Sequence, residues 1–394
     1  MSDKGSVAEV FRAFLALGLT SFGGPVAHLG YFRETFVIRR RWLSDPDFAD
    51  LVALCQFLPG PASSQVGFAL GVMRAGSLAG GIAAFIAFTL PSALALLICG
   101  FGMGALTDDA LSGLIHGLKL VAVSVVAQAL WGMARTLAPD GPRAGIALAG
   151  LAATTIGAGV MGQTLSIAVG AAAGLVLCRG ETPQPVGHIH VPISRTVGAS
   201  ALILALALLV ALPLLAPLGG HVLAFFEAFY RSGALVFGGG HVVLPLLQAA
   251  VVEPGWVTAP DFLAGYGLAQ AVPGPLFTFA AYLGAVAQLP PNGLAGALIA
   301  TLAIFLPGLL LVYGALPFWD ALRKRPLAQA AMRGAGAAVV GVLAAAFYDP
   351  VWTSAIGNGL DFLLAAAGFL LLTIWRAPPW SVVALLAAAG VALH

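Results

Sequence analysis

Gln56-Phe-Leu-Pro-Gly-Pro61 recurs as Gln270-Ala-Val-Pro-Gly-Pro275, and both copies sit inside long apolar segments. Two prolines around a glycine cannot continue a helix, because each proline removes a backbone donor and glycine disfavours helical order. In a bilayer such a break survives only where protein or a water-filled cavity surrounds it. A helix restarting after the break presents unpaired N–H groups and a partial positive charge, which hold an anion without any cationic side chain. Glycine lets such N–H groups come close to a solute. Gln56, Pro59, Gly60 and Pro61 with Ser63, Ser64 and Gln65 would serve one such site, and Gln270, Pro273, Gly274, Pro275 and Thr278 the other.

A second kind of break lies upstream of each: Phe22-Gly23-Gly24-Pro25, and Phe237-Gly238-Gly239-Gly240. His28 and His241 follow these breaks at unequal distances. Each histidine would either donate to an anion or carry a coupling proton, or else pack as a satisfied core residue. Acids are nearly absent beside all four breaks, which favours an anion over a cation as the solute. An enzyme is not indicated: there is no Gly-x-Ser-x-Gly, no His-Glu-x-x-His and no pair of carboxylates within an apolar segment.

The elements that position these residues are membrane helices. Of 394 residues, 60% are hydrophobic and 9% charged, and the mean hydropathy is +0.99. A soluble domain carries about 25% charged residues, so the chain belongs in lipid. The net charge of +2 excludes a nucleic-acid partner. Cys55, Cys99 and Cys178 lie far apart without any Cys-x-x-Cys, so no disulfide framework or zinc site is expected. His188 and His190 stand in a polar stretch with no further ligand near in sequence, and neither metal nor cofactor is expected. Met1 to Ser6 reads as a retained cytoplasmic tail.

The breaks belong to a larger repeat. Trp42–Pro61 aligns with Trp256–Pro275 without gaps, with nine identities in twenty positions. Phe22-Gly23-Gly24 aligns with Phe237-Gly238-Gly239, and Gly80 and Pro91 with Gly296 and Pro307. Ser44 and Thr258 each read as a helix N-cap, with proline in the first turn and an aspartate, Asp47 or Asp261, three residues on. Loop charges reverse between the copies. Residues 31–47 carry Arg33, Arg39, Arg40 and Arg41, whereas residues 247–261 carry only Glu253 and Asp261. Residues 106–119 hold Asp108 and Asp109 against Lys119, whereas residues 317–333 hold Arg323, Lys324, Arg325 and Arg333. Basic loops stay in the cytoplasm, so this reversal predicts two halves of inverted topology.

The predicted fold is an all-α polytopic membrane protein of two inverted homologous halves, with broken or re-entrant helices at the Phe-Gly-Gly and Pro-Gly-Pro motifs. Residues 1–178 form the first repeat, 179–196 a polar linker, 197–218 an unrepeated connecting span and 219–394 the second repeat. Residues 51–73 are either a re-entrant hairpin turning at Pro59-Gly60-Pro61 or part of three short spans, with the hairpin preferred. Gly170 and Gly174 are spaced for close helix packing, and Arg74 and Lys119 read as snorkelling to the interface. The N-terminus is placed in the cytoplasm and His394 outside.

Phe22-Gly-Gly-Pro25, the basic loop ending in Arg41-Trp42-Leu43, and Gln56 to Pro61 together resemble the chromate ion transporter family in its long, two-domain form. That resemblance implies a tandem duplication with opposed halves, and export of chromate, or of the similar dianion sulfate, from the bacterial cytoplasm through the inner membrane. The expected partners are then a small oxyanion and the lipid bilayer, with a homodimer left open. Gly240, standing where the first half has Pro25, departs from the pattern, so the second copy would be structural or would bind the anion differently.

Overall fold

The computed structural model describes residues 5–22, 24–103, 108–157, 159–179, 191–237, 240–322 and 325–393. Gly23, Gly238, Gly239, Arg323, Lys324, residues 180–190 of the linker with His188 and His190, and His394 lie outside them. Among the described residues the chain is helical throughout, without strands. In order the helices are α1 Val7–Thr20, α2 Gly24–Phe32, α3 Asp45–Phe57, α4 Ala62–Ala75, α5 Leu78–Met103, α6 Asp108–Leu137, α7 Gly141–Ile156, α8 Gly159–Leu177 and α9 Arg195–Leu215. They continue with α10 Gly220–Ala234, α11 Val243–Leu247, α12 Ala259–Ala271, α13 Phe279–Ala285, α14 Gly293–Ala315, α15 Trp319–Leu322, α16 Pro326–Ala346, α17 Thr353–Ala355, α18 Gly359–Thr373 and α19 Pro379–Leu393.

Among the described residues, five segments are long and apolar enough to cross a bilayer: Leu78–Gly102, Ser112–Leu137, Arg195–Leu215, Gly293–Phe318 and Pro326–Ala355. Their outer faces are those of a lipid-solvated body. Ile82, Ile86, Leu90, Leu94 and Ile98 form an exposed stripe four residues apart along α5, and Leu294, Leu298 and Leu302 do the same on α14. α3 and α4, at 13 and 14 residues, rise only about 20 Å each. That is less than the ~30 Å of hydrocarbon, so neither crosses alone.

Local signals start and stop these helices where chemistry dictates. Ser44 Oγ accepts from Asp47 N at 3.3 Å and Thr258 Oγ1 from Asp261 N at 3.2 Å, so both predicted caps form. Each hydroxyl also donates to the same aspartate's carboxylate, at 2.6 Å. Pro91 and Pro307 lie inside α5 and α14, where each removes one intrahelical bond and bends its helix.

Packing follows the repeat. α5 packs on α1 and α4, and α14 packs on α10 and α13, with glycines at both contacts. Gly71 faces Gly80 and Gly284 faces Gly296 closely enough that a Cβ would strike backbone. The last helix pair of each half packs on the other half. α7 and α8 lie on α16, where Gly170 and Gly174 meet Gly334, and α18 and α19 lie on α6, where Gly390 meets Gly113 and Gly117. Such small-residue contacts let backbones approach in a bilayer, where lipid supplies no hydrophobic drive between helices.

Polar ties cross the same boundary. His116 Nε2 lies 2.8 Å from Asp361 Oδ1, and Trp319 Nε1 donates to buried Asp50 at 2.9 Å. Arg333 donates to Cys178 O at 2.6 Å. Arg74 is not simply snorkelling. Its guanidinium pairs with Glu9 at 3.1 Å and sits 5.3 Å from the Trp42 ring centre. Outside the spans, Arg33 grips Asp45 through two bonds of 2.8 and 2.6 Å, which holds that carboxyl below its usual range.

Candidate functional site

The four breaks meet in pairs, each motif with its opposite from the other half. Gly60 N donates to Val236 O, just before Phe237, at 2.8 Å. Gly274 N donates to Ser21 O, just before Phe22, at 2.9 Å. Donors 214 residues apart thus reach acceptors 215 residues apart, which makes the exchange reciprocal. Both glycines need positive φ, +122° at Gly60 and +107° at Gly274, a region closed to other residues. Each also leans on the opposite half's proline bend. A Cβ at Gly60 would lie 3.0 Å from Gly308 Cα, and one at Gly274 would lie 2.7 Å from Ser92 Oγ.

This pairing alters the expected donor set. The N–H groups of Gly60 and Gly274 are committed to carbonyls, so they do not serve a solute. The donors that remain lie one step on, where α4 begins without a side-chain cap after Pro61. Its first i→i−4 bond runs from Gln65 N to Pro61 O, which leaves the N–H groups of Ala62, Ser63 and Ser64 ahead of the ladder.

Side chains around this end are buried and partly unsatisfied. His28, fully buried, places Nε2 3.2 Å from Ser21 O and Nδ1 3.3 Å from Ser63 Oγ. A carbonyl can only accept, so Nε2 carries the proton, and the neutral ring accepts from the Ser63 hydroxyl. Gln65 donates from Nε2 to Pro59 O at 2.9 Å and to Gly308 O at 3.0 Å, pinning the first break to the second half. The Ser64 hydroxyl and Gln65 Oε1 in the first turn of α4 are buried without a hydrogen-bond partner, as is the hydroxyl of Ser21, whose carbonyl His28 bonds. Nearly every buried polar atom in a protein finds a partner, so an unpartnered hydroxyl beside unpaired N–H groups makes this helix start a candidate place for a polar guest.

The second break is arranged otherwise. After Pro275 the chain makes a 3₁₀ turn over Leu276–Thr278, and Thr278 Oγ1 donates back to Pro275 O at 2.6 Å. His241 Nδ1 lies 2.7 Å from the Tyr266 hydroxyl and touches neither glycine break's partner carbonyl. Gln270 keeps Nε2 without a partner, whereas Gln56 is exposed in the last turn of α3, away from the buried cluster. Phe22, Pro25, Phe237, Pro59 and Pro273 are half-buried and shape the breaks, and Gly240 opens a short 3₁₀ turn. Asp50 and His116 were not singled out from sequence, and Gln65 was named only as a candidate donor, not for its tie to Gly308. Their partners lie 243 to 269 residues away, so no local spacing announces them.

A helical body with apolar outer faces, interrupted helices that interlock at its centre and orphaned hydroxyls beside one restart defines a multi-pass membrane protein of the solute-translocating class. Comparison with known proteins agrees. The family model described as Chromate transporter matches residues 8–178 and 223–392, and the chain belongs to that family. It is 29% identical to the chromate transport protein of Pseudomonas aeruginosa, across 98% of this chain and 92% of that one. It is 26% identical to the probable chromate transport protein of Synechococcus elongatus, across 86% and 84% of the two chains. With the chromate transport protein of Cupriavidus metallidurans it shares 27% identity, across 86% and 82%. No solved structure matches the chain. The family is one of transporters and not of enzymes.

Proposed function

We propose that this protein is a secondary transporter that exports an oxyanion, chromate first and sulfate-shaped dianions second, from the cytoplasm across the bacterial inner membrane. The observation that carries the reading is the buried, unpartnered Ser64 hydroxyl in the uncapped first turn of α4. A helix start with free N–H groups and neutral hydroxyls suits a tetrahedral oxyanion, and it binds weakly enough to let the anion leave again. The names of the relatives point to chromate as that anion.

In this reading the two family-matched regions are halves of inverted topology, joined by a polar linker and the connecting span α9. The reciprocal Gly60 and Gly274 bonds support it, as does the reversal of loop charge between Arg39–Arg41 and Glu253. α3 and α4 then form a re-entrant hairpin turning at Pro59-Gly60-Pro61, and α12 with α13 forms its counterpart. The N-terminus lies in the cytoplasm. Rocking of one half against the other about the interlocked breaks would expose α4's start to each side in turn.

The test is uptake of labelled chromate and labelled sulfate into inside-out vesicles. Saturable uptake of chromate, competed by sulfate, is expected. Flux that stays linear with concentration and shows no counter-substrate stimulation would make the protein a channel, and no flux of either anion would end the proposal.

A further inference from the structure

The halves align through their breaks, Gln56 with Gln270 included, yet most of the buried polar side chains around the first break have no polar counterpart at the second. Ser21 aligns with Val236, His28 with Val243, Ser63 with Phe277, Gln65 with Phe279 and Thr89 with Phe305. All five second-half residues are fully buried and apolar. Ser64 alone aligns with another hydroxyl, that of Thr278. There the equivalence ends, because Thr278 spends its proton on Pro275 O while the Ser64 hydroxyl, 2% exposed, has no partner.

The backbone differs in the same sense. After the first break, α4 runs as 14 residues of regular helix from an uncapped start. After the second, Thr278 N bonds Pro275 O in a 3₁₀ turn, and the α-helix that follows has only seven residues. A longer regular helix gathers more aligned peptide dipoles at its start. The first break therefore combines free N–H groups with a free buried hydroxyl, and the second offers a turn whose own threonine has closed it.

We propose that each chain holds one oxyanion, at the first break only, with the Ser64 hydroxyl and the opening N–H groups of α4 as its ligands, while the second break, closed by Thr278 on Pro275 O, serves as a brace. This rests on the transporter reading and sharpens it to a single, one-sided site. His28 is a positioning residue in this arrangement. By accepting from Ser63 and donating to Ser21 O, which also receives Gly274 N, it ties the first turn of α4 to the brace of the other half. All ligands are neutral, so the site adds no fixed charge that would trap a dianion.

The experiment is equilibrium binding of chromate, and separately of sulfate, to the purified full-length protein in lipid nanodiscs. Wild type is expected to bind one anion per chain. Ser64→Ala is expected to weaken binding at least tenfold, and at least fivefold more than Thr278→Val does. Ser63→Ala, which removes the hydroxyl bonded to His28 Nδ1, provides a second first-half variant should Ser64→Ala fail to fold, and its loss is also expected to exceed that of Thr278→Val. Two anions per chain, or equal losses in the two halves, would overturn the one-sided site while leaving transport itself standing. Wild-type protein that neither binds nor moves either anion would overturn both.

Discussion

Gly60→Ala tests the interlocking of the halves at its tightest point. At φ +122° an alanine is strained at a cost of about 1–3 kcal/mol. Its Cβ would also lie 3.0 Å from Gly308 Cα and 3.0 Å from Gln65 Nε2. The first of these is backbone and cannot swing aside, and overpacking of this kind costs about 1–3 kcal/mol more. The sum, about 2–6 kcal/mol, falls on the contact that must hold and re-form as one half moves on the other. Gly24→Ala meets strain alone, since φ is +76° with no atom within 4 Å, and Gly30→Ala meets neither. Chromate uptake into inside-out vesicles, normalised to inserted protein, should therefore fall steeply for Gly60→Ala, modestly for Gly24→Ala and not at all for Gly30→Ala. Wild-type rates for Gly60→Ala at normal expression would refute the reasoning.

Other perturbations probe separate links. Gln56 is exposed, whereas Gln65 pins the break; Gln65→Ala should cost at least tenfold in rate and Gln56→Ala less, as vesicle uptake would show. Removing His116 leaves Asp361, which is 4% exposed, only the Gly357 N–H on its carboxylate, and should lower stability by about 3 kcal/mol, the lower end of the range for breaking a buried pair because His116 is itself a quarter exposed. Thermal unfolding in detergent should show that loss, with partial recovery when Asp361→Asn is added. Single cysteines placed at Arg40 and Glu253 should label from the cytoplasmic and outer faces respectively, and equal outside labelling would rule out inverted halves.

Much of the fold was legible because its signals are local. The N-caps at Ser44 and Thr258, the proline bends at 91 and 307 and the two Pro-Gly-Pro interruptions each rest on residues within one helical turn. The site was legible only in part. Ser63 and Ser64 follow the break in sequence, so the start of α4 could be named, but the fate of Gly60's N–H depends on Val236, 176 residues away. The role of Gln65 depends on Gly308 in the same manner. One usable signal went unread: aligning the halves shows polar residues facing valine and phenylalanine, which already separates the two breaks.

If the protein exports a dianion as proposed, the membrane potential alone can drive it. One charge moved through 100 mV gains about 2.3 kcal/mol, so a dianion gains about 4.6. At about 1.4 kcal/mol per tenfold, that sustains a gradient of about a thousandfold with no proton required. The measurement is labelled chromate flux in vesicles with the potential clamped and the pH gradient set independently, for wild type and for the His28→Gln/His241→Gln double variant. Flux should follow the potential, ignore the pH gradient, and persist at a reduced rate in the double variant. Flux that stops when the pH gradient alone is collapsed would contradict the account.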